Sequence, residues 1–257
     1  MNCSPRHRLI GRPEPSHFRH PLVGIVGGMG PLASAELLCT VYGLHGRGLA
    51  GLEQSAPRIM LWSDPDVRDR TAAIEAGQTQ AVDRALATGV GHLVAAGAEV
   101  VVIACVTAHD SIRNLPPELA DRCVSLVDIV FDELADRPGR HLLLCSTGSR
   151  KAGVFSRHER WHEQRTHLVV PDEADQAALH RQLYLLKRGG NRWPMVRMIR
   201  RLLRDYEACA FVAGCTELHL VTNTIAAAGL SAVLPSIDPM TIVADLIRDG
   251  ALCRQPC

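Results

Sequence analysis

The chain has 257 residues, 47% of them apolar and 21% charged, a composition that leaves out a disordered segment, a fibre or a coiled coil and points to an ordinary globular protein. Lys and Arg number 28 against 27 Asp and Glu, and the basic residues are scattered, so the footprint of a nucleic-acid or anionic-membrane binder is missing and a small-molecule partner is expected. No stretch approaches the roughly 20 apolar residues of a membrane helix, and the length suits one large domain or two half-size lobes.

Residues 1–20 hold Arg6, Arg8, Arg12 and Arg19 among prolines and histidines. They lack the apolar centre of a signal peptide and are expected to form a flexible tail. The nine cysteines are an odd number, spread through a long chain and partly set in apolar runs. That is not the framework of a small secreted disulfide protein, and a reducing cytoplasm is the expected compartment. No Cys-x-x-Cys pair occurs, and no metal is expected.

From Leu22 onward, short β-branched runs alternate with longer Ala/Leu/Arg-rich segments, the pattern of a parallel sheet covered by helices. The spacing predicts strands at Leu22–Val26, Arg58–Trp62, Glu99–Ala104, Val124–Val127, His141–Cys145, Thr166–Val170, Cys209–Ala213 and Val233–Ile237. Helices are predicted at Pro31–Tyr42, Glu75–Ala96, Ala174–Lys187, Pro194–Tyr206 and Pro239–Arg248; the last two open with proline, which suits a first helical turn. The fold class is therefore α/β.

A weak repeat overlies this alternation. Val-Val-Ile-Ala running into Cys105-Val-Thr107-Ala-His109 matches Phe-Val-Ala-Gly running into Cys215-Thr216-Glu217-Leu-His219, each on the third strand after a lobe start. Two similar lobes are expected, 21–138 carrying Cys105 and 139–257 carrying Cys215, joined near Asp136-Arg-Pro-Gly139, with the final helix free to pack back on the first lobe. Ligands of open α/β sheets bind at the carboxyl ends of strands. Facing lobes would bring both thiols to one cleft.

These residues resemble the aspartate/glutamate racemase superfamily, and within it the aspartate-racemase and broad-specificity amino-acid racemase branch. The resemblance rests on Gly24-Ile-Val-Gly-Gly-Met-Gly-Pro31, Asp69-Arg-Thr71, Ala104-Cys-Val-Thr-Ala-His109, Val170-Pro-Asp-Glu-Ala-Asp-Gln176 with Leu186-Lys187-Arg-Gly189, and Gly214-Cys-Thr-Glu-Leu218. Any one of these is weak; all of them in order and spacing are specific. The resemblance implies a pseudo-twofold pair of lobes with the active site between them, no cofactor, an amino-acid substrate and a homodimer.

It also implies a division of labour. Racemisation removes the Cα proton from one face and returns one to the other, so two groups on opposite walls serve better than one. A free cysteine titrates near 8.5, and nearby dipoles or hydrogen bonds can bring it within reach of neutral pH. Cys105 and Cys215 are thus the catalytic candidates. Thr107 and Thr216 match donors to the substrate carboxylate, though either could simply cap a helix. Met29 and Gly30 lie in the glycine-rich loop, which can approach a ligand closely and aim N–H groups at a carboxylate. The same loop fits a relaxed dinucleotide pattern, Gly28-Met-Gly-Pro-Leu-Ala33, without a Walker lysine. Arg70 and Lys187 match positions near the distal carboxylate of acidic substrates, while Glu217, His109 and His219 could tune the thiols. Cys123, Cys145 and Cys209 read as buried structural residues.

One residue departs from the family pattern. The Asn after the first cysteine, a substrate contact in relatives, is Val106 here, so a shift of substrate away from small acidic amino acids is expected. Other readings stay open: a hydantoin racemase, maleate isomerase or malonate decarboxylase reaction on the same fold, or a non-catalytic amino-acid-binding protein. A pyridoxal enzyme has only Lys151 and Lys187 to choose from, neither in a Schiff-base motif.

Overall fold

The computed structural model describes residues 20–47 and 53–252. The expected tail, apart from His20, lies outside the described residues, as do Cys3, Cys253 and Cys257. In chain order the first half comprises β1 (Val23–Gly27), α1 (Pro31–Arg47), β2 (Ile59–Ser63), α2 (Arg70–Glu75), α3 (Gln80–Ala95), β3 (Val100–Ile103), a 3-10 segment (Val106–Asn114), α4 (Pro117–Ala120), β4 (Cys123–Val124) and α5 (Leu126–Asp136). The second comprises β5 (His141–Cys145), α6 (Thr147–Ala152), α7 (Trp161–Gln164), β6 (Leu168–Val169), α8 (Glu173–Lys187), α9 (Trp193–Asp205), β7 (Ala210–Gly214), α10 (Leu218–Ala227), β8 (Ser236–Ile237) and α11 (Pro239–Arg248).

Every strand pairs in parallel, in two four-stranded sheets of the same order, β2-β1-β3-β4 and β6-β5-β7-β8. Val23 pairs with Ile59 on one side and Val100 on the other, and His141 pairs with Leu168 and Ala210 in the same way. The two halves are therefore two-lobed repeats of one α/β plan. The strands β1, β3, β5 and β7 are buried along their whole length, which requires the unbroken apolar runs seen in the sequence.

One apolar cluster crosses from sheet to sheet, joining Ile25, Leu126 and Phe131 to Leu143, Phe155, Val212, Ile237 and Met240. The final helix α11 packs on α1 and α5, so the lobes share a core. Truncation of fully buried Phe131 would cost about 3–5 kcal/mol. Among the described residues no helix is long and apolar enough to cross a membrane.

Several elements differ from the sequence expectation. The strand expected at Val124–Val127 ends at Val124, because the Ser125 hydroxyl accepts from Asp128 N–H and starts α5 instead. The buried Leu126, Val127, Val130, Phe131 and Leu134 then follow helical spacing. The helix expected at Glu75–Ala96 begins only at Gln80: Glu75 closes the separate helix α2, and between α2 and α3 Gly77 has a φ of 63°, a left-handed turn. Asp69 caps the first of them by accepting from Ala72 N–H. Helix α10 and the short helices α4, α6 and α7 were not expected at all.

Candidate active site

Each cysteine sits where a buried central strand ends. Cys105 follows β3 in an extended conformation and opens the 3-10 segment, its carbonyl accepting from Ala108 N–H at 3.1 Å. Cys215 follows β7, its carbonyl accepting from Leu218 N–H at 2.9 Å. The two are closed from solvent almost equally, at 7% and 5% exposure.

The segments after the cysteines cross the seam between the lobes. Thr216 Oγ1 donates to the carbonyl of Ala104, next to Cys105, at 3.2 Å. In the reverse direction, Thr107 Oγ1 shares hydrogen bonds with Ser146 Oγ at 2.9 Å and Ser149 Oγ at 2.8 Å, at the start of α6. Glu217 crosses as well: a Cβ on residue 30 would lie 2.4 Å from its Oε1, so a larger residue there would have to displace that carboxylate. The repeat is thus preserved in contacts. The residue two past each cysteine, Thr107 or Glu217, touches the loop that follows the first strand of the other lobe.

Around this seam lies a set of buried charges. Cys215 Sγ donates to Glu217 Oε2 at 2.8 Å. Burial and the neighbouring Glu217 carboxylate push the Cys215 thiol well above its ordinary pKa, with Lys187 opposing. Arg70 is only 7% exposed; its Nη2 donates to Met29 O, and Nη1 to Val67 O and Arg68 O at 3.3 and 3.2 Å. Its Nε is buried without a partner. Burial would lower the Arg70 pKa, yet it is raised, first by Cys105 and then by Asp69 and Glu217. Lys187 behaves alike: burial opposes its charge, and Glu217, Cys215 and Cys105 raise its pKa nonetheless.

Asp69 anchors this group to the second lobe, accepting from Tyr184 Oη at 2.8 Å and standing 3.7 Å from Lys187 Nζ. Helix α2 packs on α6 so closely that a Cβ at Gly148 would meet Thr71 Oγ1 at 2.6 Å.

The two histidines four residues past the cysteines have structural partners. His109 Nε2 accepts from Leu126 N–H at 3.0 Å, which leaves its proton on Nδ1 to donate to Cys105 O at 3.0 Å. Burial lowers its pKa and keeps it neutral. His219 joins Asp238 Oδ2 at 2.7 Å to Thr40 Oγ1 at 2.8 Å. Val106 is 2% exposed and packs in the core cluster with Ala104 and Leu126, a placement that favours packing over contact with a ligand. Burial raises Cys123 and Cys145 to about 12, as expected of inert thiols. Cys209 instead is exposed, a correction to its reading as a buried residue: it lies just before β7, outside the covered run. Among the described residues no group of three or more His, Cys, Asp or Glu is placed to hold a metal ion.

Sequence reasoning missed Ser146, Ser149 and Tyr184. The repeat could have found the serines, since they follow β5 as the glycine-rich loop follows β1. Nothing local marks Tyr184, which meets Asp69 across 115 residues of chain. A cavity of about 730 Å³ opens elsewhere, lined by Glu36, Thr40, Arg192 and Asn223 but by neither Cys105 nor Cys215.

Comparison with known proteins gives one family. The sequence profile described as Asp/Glu/Hydantoin racemase matches residues 26–247. Among solved structures, the aspartate racemase of Picrophilus torridus is similar, with a TM-score of 0.72 at 22% identity over 90% of this chain and 94% of that one. A putative Asp/Glu racemase from Yersinia pestis gives 0.67 at 23% identity over 90% and 99%. An aspartate racemase homologue from Pyrococcus horikoshii gives 0.62 at 22% over 89% and 98%. At these identities the structures establish the shared two-lobed fold.

Proposed function

The chain belongs to the Asp/Glu/hydantoin racemase family, and we propose that it is a cofactor-independent amino-acid racemase in which Cys105 and Cys215 exchange the Cα proton across the substrate. The observation that carries this reading is the pair of strand-end cysteines brought to one buried seam, tied by Thr216 to Ala104 and by Thr107 to Ser146 and Ser149. A thiolate on one wall takes the proton, and a thiol on the other returns one. The substrate carboxylate and the carbanion-like transition state need fixed donors in a site sheltered from water. The backbone N–H groups at Met29 and Gly30 are the groups assigned to that task, while Thr107 and Thr216, whose hydroxyls are engaged with Ser146, Ser149 and the Ala104 carbonyl, hold the seam that shapes the site.

Arg70 and Lys187 supply positive charge beside both thiols, and the unpartnered Arg70 Nε is a donor free for a ligand oxygen. The substrate in this reading ends in a carboxylate or another hydrogen-bond acceptor. Under it the protein works without pyridoxal, as a homodimer in the cytoplasm. The test is a panel of L- and D-amino acids incubated with the protein in deuterated water, scored for Cα deuterium and chirality. Deuterium uptake with inversion for at least one amino acid is expected; a panel with neither overturns the assignment.

A further inference from the structure

A second cleft between the lobes is built from polar groups that the cysteine seam does not use. Helix α1 of the first lobe brings Glu36, Cys39 and Thr40 to the cavity of about 730 Å³, and the second lobe brings Arg192 and Trp193 at the start of α9 and Asn223 on α10. Its size is that of a small-molecule site, and such sites favour the boundary between domains. Behind its wall a chain of hydrogen bonds runs into the core. Asp238 is buried and holds His219 Nδ1 at 2.7 Å, and His219 Nε2 lies 2.8 Å from Thr40 Oγ1. Asn223 Nδ2 donates to Thr40 Oγ1 and to Glu36 Oε1, both at 2.9 Å. The Glu36 carboxylate is thus held in place before any ligand arrives, which lowers the ordering cost of binding.

The two charges of the cleft satisfy each other poorly. Arg192 Nη2 stands 3.4 Å from Glu36 Oε2, and its Nη1 stands 3.3 Å from Leu220 O, against about 2.7–2.9 Å for a well-formed charge-assisted bond. A ligand with a carboxylate and an ammonium offers each a short partner of opposite sign. A dianion such as a phosphate ester would meet Glu36 as well as Arg192, so a zwitterion complements the pair better. Trp193 lines the same cleft and keeps 43% of its surface exposed, a face on which a planar ring can stack. Ala226, Ala227 and Ala228 add only methyl groups to the lining, which leaves width for that ring.

We propose that this cleft is a second small-molecule site and that it binds a free aromatic α-amino acid, with the carboxylate on Arg192, the ammonium on Glu36 and the ring on Trp193. The ligand bridges α1 of the first lobe and the start of α9 in the second. The proposal does not depend on the reaction at the cysteines.

Isothermal titration of the full chain with L- and D-phenylalanine tests it. At least one enantiomer is expected to bind with a Kd below about 1 mM. Each part of the ligand has its control: phenylpropionate lacks the ammonium, phenethylamine the carboxylate and alanine the ring, and each should bind at least about tenfold more weakly. Arg192→Gln and Trp193→Ala, at partly exposed positions, should each cost at least about tenfold in affinity, and Trp193→Tyr should recover most of the loss. No binding by either enantiomer, equal binding of the truncated ligands, or an affinity indifferent to Arg192→Gln or Trp193→Ala overturns the proposal.

Cys39 locates the ligand without any substitution. It is exposed and lines the cleft, whereas Cys209 is exposed before β7 and does not. Saturating phenylalanine should slow alkylation of Cys39 by iodoacetamide at least about fivefold and leave Cys209 within about twofold. An unprotected Cys39 overturns the proposal. Binding at this cleft in a protein that racemises nothing refutes only the enzyme assignment; racemisation without such binding refutes only the second site.

Discussion

Replacing Val106 by asparagine separates a packing role from a role in choosing the substrate. The side chain is 2% exposed, among Ala104, Leu126 and Val127 in the cluster that spans both sheets. Asparagine has nearly the same volume, so the change leaves no large cavity and no clash. It removes the burial of an aliphatic side chain, about 1.5–3 kcal/mol for a full valine. It also places an amide among apolar neighbours, about 1–3 kcal/mol if no partner is found. Together these come to about 2.5–6 kcal/mol, or roughly a 5–24 °C fall in Tm for a chain of this size. Urea denaturation at pH 7 and kinetics over an amino-acid panel measure the two effects side by side. The packing account expects the full stability loss and an unchanged ranking of substrates among the molecules that remain folded. It is refuted if Val106→Asn unfolds within about 1 kcal/mol of the parent and the amino-acid ranking is reordered, since the amide would then face the ligand.

Asp238 offers a second test: it is buried and accepts from His219, Thr222, Thr241 and Met240 N–H, so Asp238→Ala should cost at least about 1–3 kcal/mol in urea denaturation by leaving His219 Nδ1 and the other buried donors without an acceptor. Burial alone would raise the Asp238 pKa, but His219 and the hydroxyls lower it. Its stabilisation is therefore complete above the unfolded value near 3.9 and is lost as pH falls through the folded one; an acid limb below pH 4 that is unchanged in Asp238→Ala would contradict this. Gly30→Ala would drive a methyl to within 2.4 Å of Glu217 Oε1 and displace the carboxylate from Cys215. Racemisation should fall at least tenfold, about 1.4 kcal/mol, with little change in Tm, and undiminished activity would show that this contact is idle.

The two-lobed plan and the strand-end placement of Cys105 and Cys215 were legible because they rest on local signals: an apolar run, then cysteine, then a polar turn, occurring twice. Boundaries failed where one residue redirects the chain. Val124-Ser-Leu-Val reads as a strand until the Ser125 hydroxyl is credited with starting a helix. Helix α10 escaped because Leu218, His219, Leu220, Val221 and Thr222 are all buried, leaving no polar face and hence no 3.6-residue period to detect. The seam itself was out of reach. Its contacts join residues 39 and 112 positions apart, as between Thr107 and Ser146 or Thr216 and Ala104, and tertiary packing alone brings them together.

The most direct test of the central claim is the racemisation rate of Cys105→Ser and Cys215→Ser, measured separately on the amino acid that the unaltered protein inverts best. A serine hydroxyl keeps the shape of the site but is a far poorer base near neutral pH than a thiolate. The two-thiol account predicts that each variant stays folded, by near-unchanged Tm, and falls well below a tenth of the parent rate, a loss exceeding about 1.4 kcal/mol of transition-state stabilisation. Retention of more than about a tenth of the activity by either folded variant would contradict it.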